Sequence, residues 1–280
     1  MVKDKYNSVW VSHSSIGDFL KCPRLYYLRN IYKNERGNKI NVITPALSLG
    51  QAVHGVLEGL AQYKTEERFL KPLEVTFEEE WQKISGKKGG YKTVQEEADA
   101  KERGKNMIKR VAKNPGPLTN KTVKIKEGHN GTPPHFYLSE AEDIVLCGRI
   151  DWLEYIEEDD SVRVIDFKTG RNKEEKSSLQ LPIYSLLLNA LQKRKVSGAS
   201  YWYVDKDDTP MPVQLPEITE SREKVLSIAR KVKTARERLA FNCHYGKGGC
   251  FACRPFEKII RGEAEFVGLG GYGAEMYIIN

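Results

Sequence analysis

Two acidic residues and a lysine carry the first chemical signal in this chain. Asp166 and Lys168 stand in Ile165-Asp166-Phe167-Lys168-Thr169-Gly170, with Asp151 upstream in Gly148-Arg149-Ile150-Asp151. If 161–168 is a strand, Asp166 and Lys168 share a face, because side chains alternate with period two. A hairpin then brings Asp151, on the preceding strand, beside Asp166. Both segments are rich in Ile, Val and Phe, where an unpaired carboxylate is costly. Two facing carboxylates so placed call for a hard divalent cation, Mg²⁺ or Mn²⁺, which takes oxygen ligands. Lys168 beside that ion would orient or help deprotonate a water, or neutralise charge developing on a phosphorane. Taken alone, a D-x-K triplet is as readily a salt bridge at a strand end.

His54 changes that balance. It lies on an otherwise apolar helix, in Gly50-Gln51-Ala52-Val53-His54, with Glu58 four residues on and therefore on the same face. A neutral imidazole there can complete a metal's inner shell. Gln180 and Tyr184, also four apart, share the face of a helix starting soon after the Asp166 strand. Gln180 can reach a water or a phosphate oxygen; the plainer reading is an amphipathic helix packing Leu181, Tyr184 and Leu188.

A separate group is sulfur. Cys250 and Cys253 form a C-x₂-C pair, Cys243 precedes them, and Cys22 lies far upstream before Pro23. Four thiolates suit an iron–sulfur cluster or a structural zinc, and such a site would clasp the two ends of the chain. His244 is an alternative zinc ligand. Cys147, in an apolar strand, reads as a small buried hydrophobe.

These residues need elements to position them. Residues 14–32 read as a helix capped by Ser14 or Ser15, and 46–63 as a second with Leu49, Val53, Val56, Leu57 and Leu60 inward. Residues 66–84 and 91–113 read as polar helices. Asn114-Pro115-Gly116-Pro117 breaks the chain, and strand character begins near 121. Residues 144–156 and 161–168 read as two strands joined by an acidic turn. A helix at 174–193, strands at 199–204 and 211–215, a basic helix at 219–240 and a Gly-rich tail follow. That order predicts an α/β or α+β fold with a small mixed sheet.

The chain has 280 residues, 45 Lys+Arg against 38 Asp+Glu and a net charge of +7, ordinary globular values that exclude a wholly disordered chain. Its basic residues are unevenly spread. Segments 101–126 and 221–240 are strongly basic, whereas 140–160 is acidic. Basic flanks around an acidic centre fit a protein that grips a polyanion and cuts it with metal-bound carboxylates, although solvated helix faces would look the same. Lys105, Lys109, Arg110, Arg230 and Lys231 are the candidate backbone contacts. Tyr91, Tyr201, Trp202 and Tyr203 could stack bases, but such aromatics are more often core. No apolar run is long enough to span a membrane, and the N-terminus lacks the apolar core of a secretory signal, so the expected compartment is the cytoplasm. No G-x-x-x-x-G-K-[ST] stretch occurs, so any helicase motor is expected on a separate partner.

Taken in order, Ser14-Ser15-Ile16, Phe19, Cys22-Pro23-Arg24, Tyr26-Tyr27, Leu49-Gly50, His54, Glu58, Gly148-Arg149-Ile150-Asp151, Ile165 to Gly170, Gln180, Tyr184 and Cys250 with Cys253 resemble the PD-(D/E)xK nuclease superfamily, in particular its RecB-like branch. That branch includes nuclease domains of bacterial recombination helicase–nucleases and stand-alone exonucleases associated with CRISPR adaptation. The resemblance implies a restriction-endonuclease-like core: a small mixed central sheet flanked by helices, with the terminal segments joined by a Cys metal site. The whole chain, 1–280, would be one nuclease domain, with a helical part (14–120), a catalytic sheet core (121–215) and a basic, Cys-containing part (216–280). It further implies Mg²⁺ or Mn²⁺ on His54, Asp151 and Asp166, catalysis involving Lys168, and support from Gln180 and Tyr184. The expected substrate is DNA, as a single strand or at ends, cut by an exonuclease. A [4Fe–4S] cluster on Cys22, Cys243, Cys250 and Cys253 is also implied, with zinc as the alternative. Here the chain departs from the pattern, because the third clustered Cys precedes the C-x₂-C pair instead of following it. A catalytically silent DNA-binding subunit, or a zinc-ribbon interaction protein, are the competing readings, and the intact His54, Asp151, Asp166 and Lys168 argue against both.

Overall fold

The computed structural model describes residues 8–175 and 177–279. Residues 1–7, the start of the segment that argued against a secretory signal, lie outside the described residues, as does Lys176 within the 174–193 helix expectation.

Strand β1 (Val9–Val11) leads into helix α1 (His13–Lys21). The cap is Ser12 rather than Ser14 or Ser15: its hydroxyl accepts the Ser15 N–H while the Ser15 hydroxyl accepts the Ser12 N–H, a reciprocal capping box. The helix expected over 14–32 is broken at Cys22, which is extended (φ −168°, ψ 120°). Pro23 explains the break, since its ring disfavours helical backbone at the preceding residue. Helix α2 (Pro23–Tyr26) and a π-turn over Tyr27–Ile31 continue the chain to strand β2 (Ile40–Val42).

Helix α3 (Pro45–Gly59) starts from a Thr44 cap with proline in its first turn. It buries Leu49, Ala52, Val53, Val56 and Leu57 against α4 (Leu73–Gln82) and α5 (Val94–Lys113). Strands β3 (His135–Ser139) and β4 (Ile144–Cys147) form a hairpin on which β1 lies parallel to β4. The central sheet consists of β5 (Trp152–Ile156), β6 (Ser161–Lys168), β7 (Lys195–Tyr203) and β8 (Met211–Val213), in that spatial order. β6 runs parallel to β7 and antiparallel to β5, and α6 (Gln180–Leu191) makes the crossover between β6 and β7.

Both faces of β6 are covered, which is why it reads as a near-continuous apolar run. Val162 and Val164 face α6 and α7 (Ile218–Glu237), whereas Ile165 and Phe167 face α3, α4 and α5. A third, smaller core joins Leu25 and Leu28 to helix α8 (Arg254–Ile260) and to a sheet of β2, β9 (Ala264–Leu269) and β10 (Glu275–Ile279). The mixed α/β architecture with small mixed sheets flanked by helices is the one expected, although the sheets number three among the described residues. No helix among them is long and apolar enough to cross a membrane.

Three further expectations fail locally. The strand read over 144–156 is interrupted at Gly148–Asp151, and its halves belong to different sheets. Gly148 lies so close to α6 that a Cβ there would come within 2.9 Å of Leu187, so the chain turns as it passes the helix. The Gly-rich tail, read without elements, forms the β9–β10 hairpin. The strand expected from 121 contributes only a bridge from Thr122 to Glu154.

Candidate active site and cysteine centre

Asp151 sits in the turn between β4 and β5, not inside a strand. Trp152 pairs with Ile165, so the next residue back, Asp151, arrives at the level of Asp166. The Phe167 N–H donates to Asp151 Oδ2 at 2.9 Å and fixes the carboxylate. From the opposite side α3 delivers His54, whose Nδ1 is 2.7 Å from Glu58 Oε1 and 3.5 Å from Asp151 Oδ2. One ligand atom from each of His54, Glu58 and Asp151 lies within 4.8 Å of the other two, close enough for one cation to take all three. Burial and the facing Asp166 charge push the Asp151 carboxyl up to about 8. Burial pulls the His54 imidazolium down, but the Glu58 hydrogen bond and the Asp151 charge outweigh it and raise the ring to about 9. Such crowding of acid groups is what a divalent ion relieves.

Asp166, 1% exposed, also has its carboxyl raised by burial, with Lys168 opposing. Its Oδ1 accepts from Tyr184 Oη at 3.1 Å and from Gln180 Nε2. Its Oδ2 is enclosed, with Lys168 Nζ 2.9 Å away as an ion pair but no aligned hydrogen-bond donor. That unsatisfied buried oxygen and the His54–Glu58–Asp151 group together fit a hard cation. Asp166 itself belongs to a different knot: Lys168 Nζ pairs with Asp166 and with Glu174 Oε2, each at 2.9 Å, and donates to Gln180 Oε1. Burial opposes the Lys168 charge, yet Asp166 and Glu174 outweigh it and hold the ammonium protonated. Gln180 opens α6, and Tyr184 follows one turn later, so the helix start presents both to the strand end.

Sequence reasoning gave Glu58 no ligand role and did not name Glu174 or His13. Glu174 lies in the irregular segment between β6 and α6, where no periodicity marks it, and its N–H donates to Tyr203 Oη at 2.9 Å. His13, the first residue of α1, stands within electrostatic reach of Glu174, Lys168 and Asp166. A cavity of about 420 Å³ lined by Glu58, Lys124, Arg149 and Asp151 opens onto the centre.

The model of the PD-(D/E)XK nuclease superfamily matches residues 10–257. The chain belongs to this superfamily. No curated protein matches it. In a PD-(D/E)XK nuclease the acidic centre, with Asp151 and Asp166 meeting beside Lys168, is the place where a divalent metal and a phosphodiester would come together.

The nuclease has a second centre at the far end of α1. The Cys22 bend turns its thiol toward Cys243, Cys250 and Cys253, and all four sulfurs lie within 4.8 Å of one another. Cys22, Cys250 and Cys253 are buried, Cys243 is half-buried, and none is in a disulfide. The Cys250 N–H points at Cys253 Sγ over 3.2 Å. Burial opposes the Cys250 thiolate, but the backbone N–H groups of Cys253 and Ala252 bring its thiol down to about 7. Gly249 turns at φ +67°, and a Cβ there would stand 3.0 Å from Cys253 Sγ. His244 is exposed and outside the group. Cys147 is half-buried, not fully buried as expected, because β4 ends with it; burial raises its thiol to about 11.

The basic candidates divide. Lys105 pairs with Glu78 at 2.7 Å, Arg110 with Asp208 at 2.8 Å and Arg230 with Glu142 at 2.7 Å, whereas Lys109 and Lys231 are exposed, with no ion pair among the described residues. Tyr91, Tyr201, Trp202 and Tyr203 are all buried, as core residues are.

Proposed function

We propose that this protein is a Mg²⁺- or Mn²⁺-dependent DNA nuclease of the RecB-like branch, acting as an exonuclease on single strands or DNA ends in recombination, repair, phage replication or CRISPR adaptation. The observation that carries the reading is the meeting of Asp151 and Asp166, with His54 and Glu58 on one side and a protonated Lys168 on the other. His54, Glu58 and Asp151 would hold the ion, with the Asp166 carboxylate adding negative charge beside them. The bound cation would supply a water of lowered pKa and neutralise phosphate charge.

The chain's own residues do the rest. Lys168, charged, ion-paired with Asp166 and Glu174 and donating to Gln180 Oε1, places a cation where the phosphorane develops negative charge; a protonated amine does not take the water's proton. Gln180 and Tyr184 fix the Asp166 carboxylate by hydrogen bonds to Oδ1. Lys124 and Arg149 line the approach and would meet the backbone phosphates. The ordered set from Ser14 to Cys253 and the clustering of Cys22 with the C-terminal cysteines support the RecB-like assignment. A helicase or recombination partner on another chain would feed the strand.

The test is degradation of end-labelled single-stranded and duplex DNA with Mg²⁺ or Mn²⁺, comparing wild type with Asp166→Ala and Lys168→Ala. Metal-dependent release of nucleotides from one labelled end, lost in both variants, is expected. Retained DNA binding with no cleavage of any substrate would overturn the reading in favour of a silent binding subunit.

A further inference from the structure

The resemblance to the RecB-like branch implies a [4Fe–4S] cluster, and the sulfur geometry does not fit one. Each thiolate on a cubane caps a different iron and points outward, so the four sulfurs stand on the order of 6 Å apart. Around a single tetrahedral ion with metal–sulfur bonds of about 2.3 Å, neighbouring sulfurs are only about 3.8 Å apart. Here Cys250 Sγ and Cys253 Sγ are 3.7 Å apart, and every pair among the four lies within 4.8 Å. We infer that Cys22, Cys243, Cys250 and Cys253 bind one zinc ion as a closed structural site.

Three further observations agree. The order of the cysteines departs from the cluster-binding pattern, since Cys243 precedes the C-x₂-C pair and no cysteine follows Cys253. Gly249 passes so close to Cys253 that a Cβ there would stand 3.0 Å from its sulfur, so the backbone packs tightly against this thiol. A cavity of about 380 Å³ lies beside Cys243 and is lined by none of the other three cysteines, so it is not an enclosure between them. Four thiolates around a dication leave two negative charges. Arg24, paired with Glu257 at 2.6 Å and within electrostatic reach of Cys253, offsets part of that charge. A site with four protein ligands has no open position, so its role is to hold the Cys22 bend, and with it α1 and α2, against the C-terminal segment.

The deciding experiment is metal and sulfide analysis of the full chain, produced in iron-supplemented medium and purified without oxygen. About one zinc per chain, no acid-labile sulfide and no band at about 400 nm are expected. Zinc content should fall in Cys22→Ser and Cys243→Ser and persist in Cys147→Ser, which lies outside the group. Because Cys22→Ser removes a buried ligand and is at risk of misfolding, replacement of zinc by Co²⁺ in the wild type provides a second readout, the visible absorption of a tetrahedral tetrathiolate. Stoichiometric iron with sulfide, one iron without sulfide, or metal-free protein with four titratable thiols at this site would each overturn the inference.

Discussion

Loading the acidic centre with Mn²⁺ should expel protons into solution. A cation on His54, Glu58 and Asp151 needs a free imidazole lone pair and ionised carboxylates. In the metal-free protein the His54 ring is raised to about 9 and the Asp151 carboxyl to about 8. At pH 7 a group with the first value is about 99% protonated and one with the second about 90%. The two face each other, so a proton on one weakens the hold of the other, and the pair titrates as a unit. Release therefore lies between about one and about two protons per ion, and apparent affinity rises roughly 10- to 100-fold per pH unit near neutrality. Titration calorimetry of Mn²⁺ into the full chain, in buffers of different ionisation enthalpy at pH 6.5, 7.0 and 7.5, reads both quantities. Equal heats in every buffer together with a flat affinity would refute the argument.

The same shifts fix the sign of a stability effect. Both folded-state values lie above the ordinary ones, so the folded protein holds these protons more tightly than the unfolded chain. The His54 contribution is full below about pH 6.5 and is lost as pH rises through about 9; for Asp151 the loss begins near pH 4 and is complete by about 8. Metal-free protein should lose stability as pH rises from about 4 to about 9, first through Asp151 and then through His54, and saturating Mn²⁺ should flatten the curve. Thermal unfolding with and without the ion, followed across that range, checks it.

Lys168→Ala should lower kcat by about 10²- to 10³-fold with a smaller change in KM, as loss of one charge-stabilising donor does, measured in single-turnover cleavage. Gly104→Ala should destabilise by about 1–3 kcal/mol in denaturant titrations, because the added Cβ would stand 2.5 Å from the Phe77 ring and 2.9 Å from Leu49. Ser12→Ala should cost about 1 kcal/mol through loss of the α1 cap, read in the same titrations. Lys109→Ala and Lys231→Ala should each reduce the slope of log affinity for DNA against log salt by about 1 if that lysine meets a phosphate, whereas an unchanged slope removes it from the interface.

The strand that carries Asp166 and Lys168 was readable because its surroundings leave little choice. β6 spans Ser161–Lys168, the range expected from its β-branched run, and period two then places Asp166 beside Lys168. The positions of Gln180 and Tyr184 followed from a helix starting close behind it. The expectation failed where tertiary contacts overrule local pattern. Residues 144–147 and 152–156 both read as strand, and only the short Gly148–Asp151 interval marks the place where the chain leaves one sheet for another. Glu174 stands at the start of the helix expected over 174–193, but α6 begins only at Gln180, and the irregular segment before it brings Glu174 to Lys168. The tail's strands, Ala264–Leu269 and Glu275–Ile279, carry no apolar–polar alternation and are separated by glycines, so no local pattern announces them.

Cys22 shows most directly how a local signal and a long-range one combine. An apolar stripe over 14–32 favours one uninterrupted helix, in which Cys22 would be an ordinary helical position. Pro23 removes a helical N–H and forces the residue before it to extend, and that single extended residue separates α1 from α2. The same bend sets the Cys22 thiol among three sulfurs more than two hundred residues away in sequence. Closing so long a loop is entropically unfavourable, and a buried thiol gains little by packing alone. A coordinated ion supplies the missing stabilisation, because its binding free energy becomes folding free energy for whatever it joins. α1, whose first residue His13 faces the Lys168 knot, is thus anchored at its other end by the cysteine centre. Loss of that centre should therefore disturb the active site through the seat of α1, although the two lie at opposite ends of the helix.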